Sequence, residues 1–191
     1  DYQFNIVRCP PPAKAVLALS DICNSLRVTP SNAGIDYPET EFFWNFGEAA
    51  KAPNDTSFSR SPSYTYSKAG TYTIKLVVNP FTKCADSTTK TIRVSQLKAD
   101  FTSSRDTCAG FPVDFTDKST SSVNTPVTNR DWNFLDGSKS TQANPTHIYT
   151  AGGNYNVRFV VTNSIGCKDS VVNVVKIIQE KPVAVAGAND T

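Results

Sequence analysis

Hydrophobic and polar residues alternate along the best-defined stretches of this chain. Tyr72, Ile74, Leu76 and Val78 are interleaved with Thr73, Lys75 and Val77, and Tyr155, Val157, Phe159 and Val161 with Asn156, Arg158 and Val160. A period of two sends successive side chains to opposite faces of a strand, so each stretch predicts a β-strand with one buried face. Phe42, Trp44 and Phe46 share a parity, as do Trp132 and Phe134. Both tryptophans are therefore expected inside cores, with Tyr72 and Tyr155 as further core residues. No segment keeps apolar residues at i, i+3, i+4 and i+7 over three turns, so helices are expected to be single turns at most. Val, Thr, Ser, Tyr and Phe are plentiful, Met is absent, and Pro and Gly interrupt at short intervals, which completes an all-β reading.

The pattern occurs twice. Tyr64 to Val94 aligns without a gap on His147 to Ile177 at an offset of 83 residues, matching Tyr66 with Tyr149, Gly70 with Gly153, Tyr72 with Tyr155, and Cys84-Ala85-Asp86-Ser87 with Cys167-Lys168-Asp169-Ser170. Upstream, Trp44-Asn45-Phe46 matches Trp132-Asn133-Phe134. Asp21-Ile22-Cys23 and Asp106-Thr107-Cys108 open the two copies, and Asp190-Thr191 stands where a third would open. The expected organisation is a tail of a preceding segment at 1–10, whole repeats at 11–95 and 97–179, and the start of a third repeat at 180–191. With about seven short strands each, the repeats predict two tandem immunoglobulin-like β-sandwich domains, the tryptophan lying on the third strand. Phe43 has the opposite parity from Phe42 and Trp44. It is expected to point away from the core near Val77, making Phe43 and Val77 the candidate binding face of the first repeat; the second repeat has Asp131 and Val160 there.

Composition narrows the partners. Hydrophobic residues are 39% and charged residues 19% of 191, and the formal net charge is only +2 with its Lys and Arg scattered, so no basic stripe for nucleic acid exists. No apolar run approaches the roughly 20 residues of a membrane span. The chain opens at Asp1 rather than on a basic signal segment, and any targeting segment is expected to have been removed. The five cysteines form no C-x-x-C pair and have no neighbouring histidines, which points to disulfides in an oxidising compartment rather than to zinc.

Candidate chemistry is sparse. His147, the only histidine, replaces Tyr64 of the first repeat and is read as a strand residue; no triad can be built twice around it. Asp114, Asp117, Asp131 and Asp136 could give oxygen ligands to calcium but lack the alternating spacing of a dedicated loop, so no cofactor is expected. Asp86-Ser87 and Asp169-Ser170 read as side-chain turn caps rather than sugar acceptors, and Asn54-Asp55-Thr56 fits a glycosylation sequon.

Trp44-Asn45-Phe46-Gly47-Glu48 followed by Tyr64-Thr65-Tyr66-Ser67-Lys68-Ala69-Gly70-Thr71-Tyr72, and again Trp132-Asn133-Phe134-Leu135-Asp136-Gly137 followed by His147 to Val161, resemble the polycystic-kidney-disease (PKD) domain family, with its WDFGDG-like turn and later HxYxxxGxYxVxLxV strand. Both copies carry Asn45 and Asn133 where the family usually has Asp, and the first has Glu48-Ala49 in place of the final Asp-Gly. The resemblance implies extracellular modules used for adhesion, spacing and substrate presentation. The repeats also look like those of long surface proteins of gliding or type IX-secreting bacteria. The expected function is a non-catalytic extracellular structural or adhesive array segment whose partners are neighbouring repeats and surface glycans or proteins. The alternative, a carbohydrate-binding accessory module of a secreted hydrolase, requires exposed aromatics in a row.

Pairing of Cys23 with Cys84 and of Cys108 with Cys167 is suggested by near-equal spacing but opposed by sandwich geometry. Cys23 and Cys108 are placed in first-hairpin turns, and Cys84 and Cys167 in last-hairpin turns at the other end of each sandwich, about 20 Å away. A disulfide spans at most about 7 Å between Cα atoms. The short connection Ser95–Lys98 then makes Cys23–Cys167 the expected inter-repeat bond, with Cys9 bonded to Cys84 and Cys108 assigned to a cysteine of the next repeat.

Overall fold

The computed structural model describes residues 13–104, 107–122 and 124–179, and these are all-β apart from a single 3-10 turn at Ala49–Lys51. The chain divides into two compact units, one running to Gln96 and including Ser122–Thr125, the other formed by Leu97–Ser121 and the chain from Pro126.

Unit 1 contains β1 (Leu17–Ala18), β2 (Ile22–Cys23), β3 (Arg27–Val28), β4 (Ser31–Asn32), β5 (Phe42–Asn45), β6 (Thr56–Ser57), β7 (Tyr64–Thr65), β8 (Gly70–Val78) and β9 (Asp86–Ser95). Five of them form a sheet in the order β2-β9-β8-β5-β6, and the short pairs β1-β4 and β3-β7 form the opposing layer. The long hairpin β8-β9 carries the alternation read from sequence: Ile74, Leu76 and Val78 are buried while Thr71, Thr73 and Lys75 are exposed. Trp44 packs fully buried among these and against Ala15, Leu17 and Val28 of the other layer, closing the core. Burying a side chain of this size class stabilises the fold by roughly 1.5–3 kcal/mol.

Unit 2 repeats the plan with β10 (Leu97–Lys98), β11 (Phe101–Ser103), β12 (Thr107–Cys108), β13 (Pro112–Asp117), β14 (Thr120–Ser121), β15 (Val127–Asn133), β16 (Lys139–Ser140), β17 (Thr146–Ile148), β18 (Gly153–Asn163) and β19 (Lys168–Ile178). Its five-stranded sheet runs β12-β19-β18-β15-β16, facing β11-β13-β17 and β10-β14. Trp132 lies fully buried and stacks on Phe159 with centroids 3.7 Å apart.

Two details depart from the reading of the sequence. Cys23 and Cys108 do not sit in hairpin turns: each ends a short strand paired in parallel with the last strand of its unit, Cys23 opposite Ser95 and Cys108 opposite Ile178. A parallel pair needs only two residues of contact and leaves no periodic signal. Tyr155, expected in the core, is half-buried, whereas its counterpart Tyr72 is buried. Tyr72 stacks on Tyr66 at 18°, but Tyr155 is tilted by 33° from Tyr149.

Candidate functional site

Three features recur in both units. The first is a clamp where the chain enters each sandwich. Asp86 Oδ2 accepts the Ala15 N–H at 3.0 Å, and Asp169 Oδ2 accepts the Ala99 N–H at 2.7 Å. Each carboxylate thereby ties the first residues of a unit to the start of its last strand.

The second is the turn after the tryptophan strand. Asn45 Oδ1 accepts the Gly47 N–H at 2.9 Å and Asn133 Oδ1 the Leu135 N–H at 3.0 Å, so the amide that replaces the family's Asp makes the same local side-chain turn. In unit 1 the turn delivers Glu48, which is 4% exposed, into a ring of donors: Tyr64 Oη at 2.5 Å, the Ser67 N–H at 2.9 Å, and the Ser67 hydroxyl. Burial opposes ionisation of Glu48, but the Ser67 and Tyr64 hydrogen bonds and the Lys51 charge outweigh it and lower its pKa to about 2. Burial and the Glu48 hydrogen bond push the Tyr64 phenol well above its usual range. In unit 2 the matching pair is Asp136 and His147, with Oδ2 and Nε2 2.6 Å apart. Burial likewise opposes ionisation of Asp136, and the Ser138 N–H with His147 overcomes it, so its pKa lies below the ordinary carboxylate value. Tyr64 stacks on Phe46 at 4.4 Å and His147 on Phe134 at 4.2 Å. His147 therefore takes the place of a core-edge tyrosine, facing one carboxylate.

The third is a pair of cysteine positions. Cys84 and Cys167 lie just ahead of β9 and β19, whereas Cys23 and Cys108 oppose the far ends of those strands. From Asp86 to Ser95 is roughly 30 Å of strand at about 3.3 Å per residue. No disulfide spans that distance, so Cys23 cannot bond Cys84, nor Cys108 bond Cys167. Cys23, Cys84 and Cys167 are nonetheless all in disulfides. Cys9 lies outside the described residues.

The four acidic candidates for calcium are engaged separately. Asp114 accepts the Thr146 hydroxyl, Asp117 accepts Arg130 Nε at 2.7 Å, Asp136 faces His147, and Asp131 is paired across the sheet with Val160. Among the described residues, no three His, Cys, Asp or Glu side chains are grouped to hold a metal ion.

One feature belongs to unit 1 alone. Phe43 is opposite Val77 in the β5-β8 register and packs against Phe58, with ring centroids 5.3 Å apart and planes at 54°. Phe58 is 65% and Phe81 92% exposed, and both border a cleft with Glu41, Phe42, Arg60 and Pro80. Sequence parity finds Phe43 but neither Phe58 nor Phe81, which lie in irregular segments where period two has no meaning.

The PKD domain family profile matches residues 10–95 and 98–178. The chain belongs to the PKD domain family. This PKD pair is 35% identical over 60 residues to "Collagenase ColA" of Clostridium perfringens, a match covering 31% of the chain and 5% of that protein. It is 34% identical over 82 residues to "Microbial collagenase" of Vibrio alginolyticus, covering 43% of the chain and 9% of that protein. The chain thus spans only a small fraction of the curated relatives it matches. Among solved structures, the PKD1 domain of the Vibrio cholerae metalloprotease PrtV is 27% identical, with a TM-score of 0.38, and the match covers 42% of this chain and 95% of that one. The matches to the collagenases cover their PKD part, which is a non-catalytic module type.

Proposed function

We propose that this PKD pair is a non-catalytic extracellular array segment, a spacer or adhesion module of a larger surface protein, in which successive repeats are joined by disulfides. The observation that carries this reading is the oxidised state of Cys23, which the β2-β9 register keeps about 30 Å from the last-hairpin cysteine of its own repeat. Cys23 must therefore draw on a cysteine elsewhere, and Cys167, the matching last-hairpin cysteine of the next repeat, is the proposed partner. Ala15, held to Asp86, brings the start of unit 1 to the end that carries Cys84, which supports a Cys9–Cys84 bond. Disulfides of this kind persist in oxidising compartments, which supports export. The repeat style supports a large surface protein of the type made by gliding or type IX-secreting bacteria.

A non-reduced peptide map is expected to show Cys23 linked to Cys167, and Cys23→Ser is expected to broaden the distribution of distances seen by solution scattering. Linkage of Cys23 to Cys84, or unchanged scattering in the variant, overturns the staple. The collagenase and metalloprotease relatives favour a second reading in one respect, since PKD modules there accompany hydrolases. On that reading the pair is an accessory module of a secreted hydrolase and binds carbohydrate. Retention on an insoluble polysaccharide would support it.

A further inference from the structure

The cleft of unit 1 is lined mostly by residues that unit 2 replaces. At the offsets that align the repeats, Phe42, Phe58, Arg60, Pro80 and Phe81 become Arg130, Thr141, Ala143, Asn163 and Ser164, and Phe43, which packs behind Phe58, becomes Asp131. Phe58, Arg60 and Phe81 lie outside the core of unit 1, and the same strands close without their counterparts in unit 2.

The backbone shows the same selectivity. Phe81 has φ +67° at the tip of the β8-β9 turn, a conformation that a bulky residue adopts only at a cost, and it leaves its ring almost wholly in solvent. Strain held at an exposed aromatic points to use rather than to folding. Phe58 is displayed similarly and is tilted on Phe43, so the two rings form a notch rather than a flat shelf.

The polar groups fix the kind of ligand. The Arg60 guanidinium lies over Phe42 at 5.1 Å, donates to Asp36 at 2.6 Å and donates to the Tyr37 carbonyl at 2.7 Å, so it is engaged within unit 1. Glu39 and Glu41 are exposed, and neither forms an ion pair with a described residue. What remains is aromatic faces, which attract cations, beside acceptor-only carboxylates. A sugar would need donors as well as acceptors and a flat ring to lie on. A lysine or arginine side chain, with an apolar stem and a charged head, meets both parts of the cleft.

We propose that the cleft of unit 1 bordered by Phe58 and Phe81 binds a basic polypeptide segment, with a Lys or Arg stem against the rings and its charge at Glu41. The proposal goes beyond the spacer reading and does not depend on the disulfide pairing. The test is an NMR titration of the intact isotope-labelled chain with the capped peptide acetyl-Gly-Lys-Leu-Lys-Gly-amide. Saturable amide shifts are expected at residues 40–43, 58–60 and 80–82. Glu41→Gln and Phe81→Ser are each expected to weaken binding by about two- to fivefold, as loss of one exposed cation–π or charge contact implies. Both residues are exposed, so an unchanged thermal midpoint is expected and separates lost binding from lost folding. Binding is also expected to weaken as salt rises. The proposal fails if the lysine peptide produces no shifts at these residues, if a matched glutamate peptide binds equally, if a soluble hexasaccharide shifts the same amides instead, or if both variants bind as the parent does.

Discussion

The two repeats solve one turn in two ways. After Phe46, unit 1 places Gly47 at φ +73°, and a Cβ there would come within 2.4 Å of the Thr73 carbonyl oxygen. After Phe134, unit 2 places Leu135 at φ +61°, half in solvent. The turn then delivers a buried glutamate to a tyrosine in one case and an aspartate to a histidine in the other. A conserved geometry here requires a carboxylate meeting a stacked ring donor, and tolerates different residues in both places. The lesson is that the turn works as a structural latch, closed by a carboxylate and a stacked ring in both units.

The comparison is broken most strongly at the cores. Trp44→Ala and Trp132→Ala are each expected to destabilise their own unit by about 3–5 kcal/mol, since both indoles are fully buried and each donates from Nε1 to a carbonyl at 2.9 Å. Amide hydrogen exchange on the intact chain should localise each loss. Effects that differ by more than a factor of two would show that the frames are not equivalent.

The latches separate the units next, through pH. Glu48 has its pKa lowered from 4.5 to about 2, so its stabilisation is fully present above about pH 4.5 and is lost as pH falls toward 2. Asp136 follows the same sign from a starting value of 3.8. Unit 1 is thus expected to begin losing stability at a higher pH than unit 2. Each unit holds one tryptophan, so Trp132→Phe and Trp44→Phe variants report the units one at a time by fluorescence. Glu48→Gln is expected to cost roughly 2 kcal/mol at neutral pH and to flatten the acid response of unit 1.

The two turns themselves are expected to respond with opposite sign. Gly47→Ala should destabilise by about 2 kcal/mol or more, because left-handed backbone and the Thr73 carbonyl both reject a Cβ. Leu135→Gly should stabilise by about 0.5 kcal/mol, relief of backbone strain exceeding the added freedom of the unfolded chain. Thermal melts of the two variants settle the sign.

The frame was legible in the sequence because period-two alternation acts over whole strands: Ile74, Leu76, Val78, Val157, Phe159 and Val161 face inward as their parity requires. Tandem repetition then doubled every signal. The strands β2 and β12 were not legible, since a two-residue parallel pairing at a sheet edge leaves no period. The partnership of Glu48 with Ser67 spans a sequence separation of 19 residues and depends on the third dimension. Phe81 was hidden for another reason, because a left-handed phenylalanine contradicts local propensity and only its surroundings reveal it.

The parallel pairing of β2 with β9 in unit 1 has a bearing on how the module carries tension. Its first segment and its last strand run side by side, fastened by Ala15 to Asp86, by the Lys90 ammonium to the Leu19 carbonyl, by Asp21 to Arg93, and by the Ile22–Val94 pairing. Stretching the module from its two ends slides these segments past each other, loading the contacts together in shear instead of peeling them one after another. Such a module yields at high load and lengthens abruptly. Asp21→Ala, which removes one fastening outside the core, is expected to lower the rupture force in single-molecule pulling while leaving the thermal midpoint nearly unchanged.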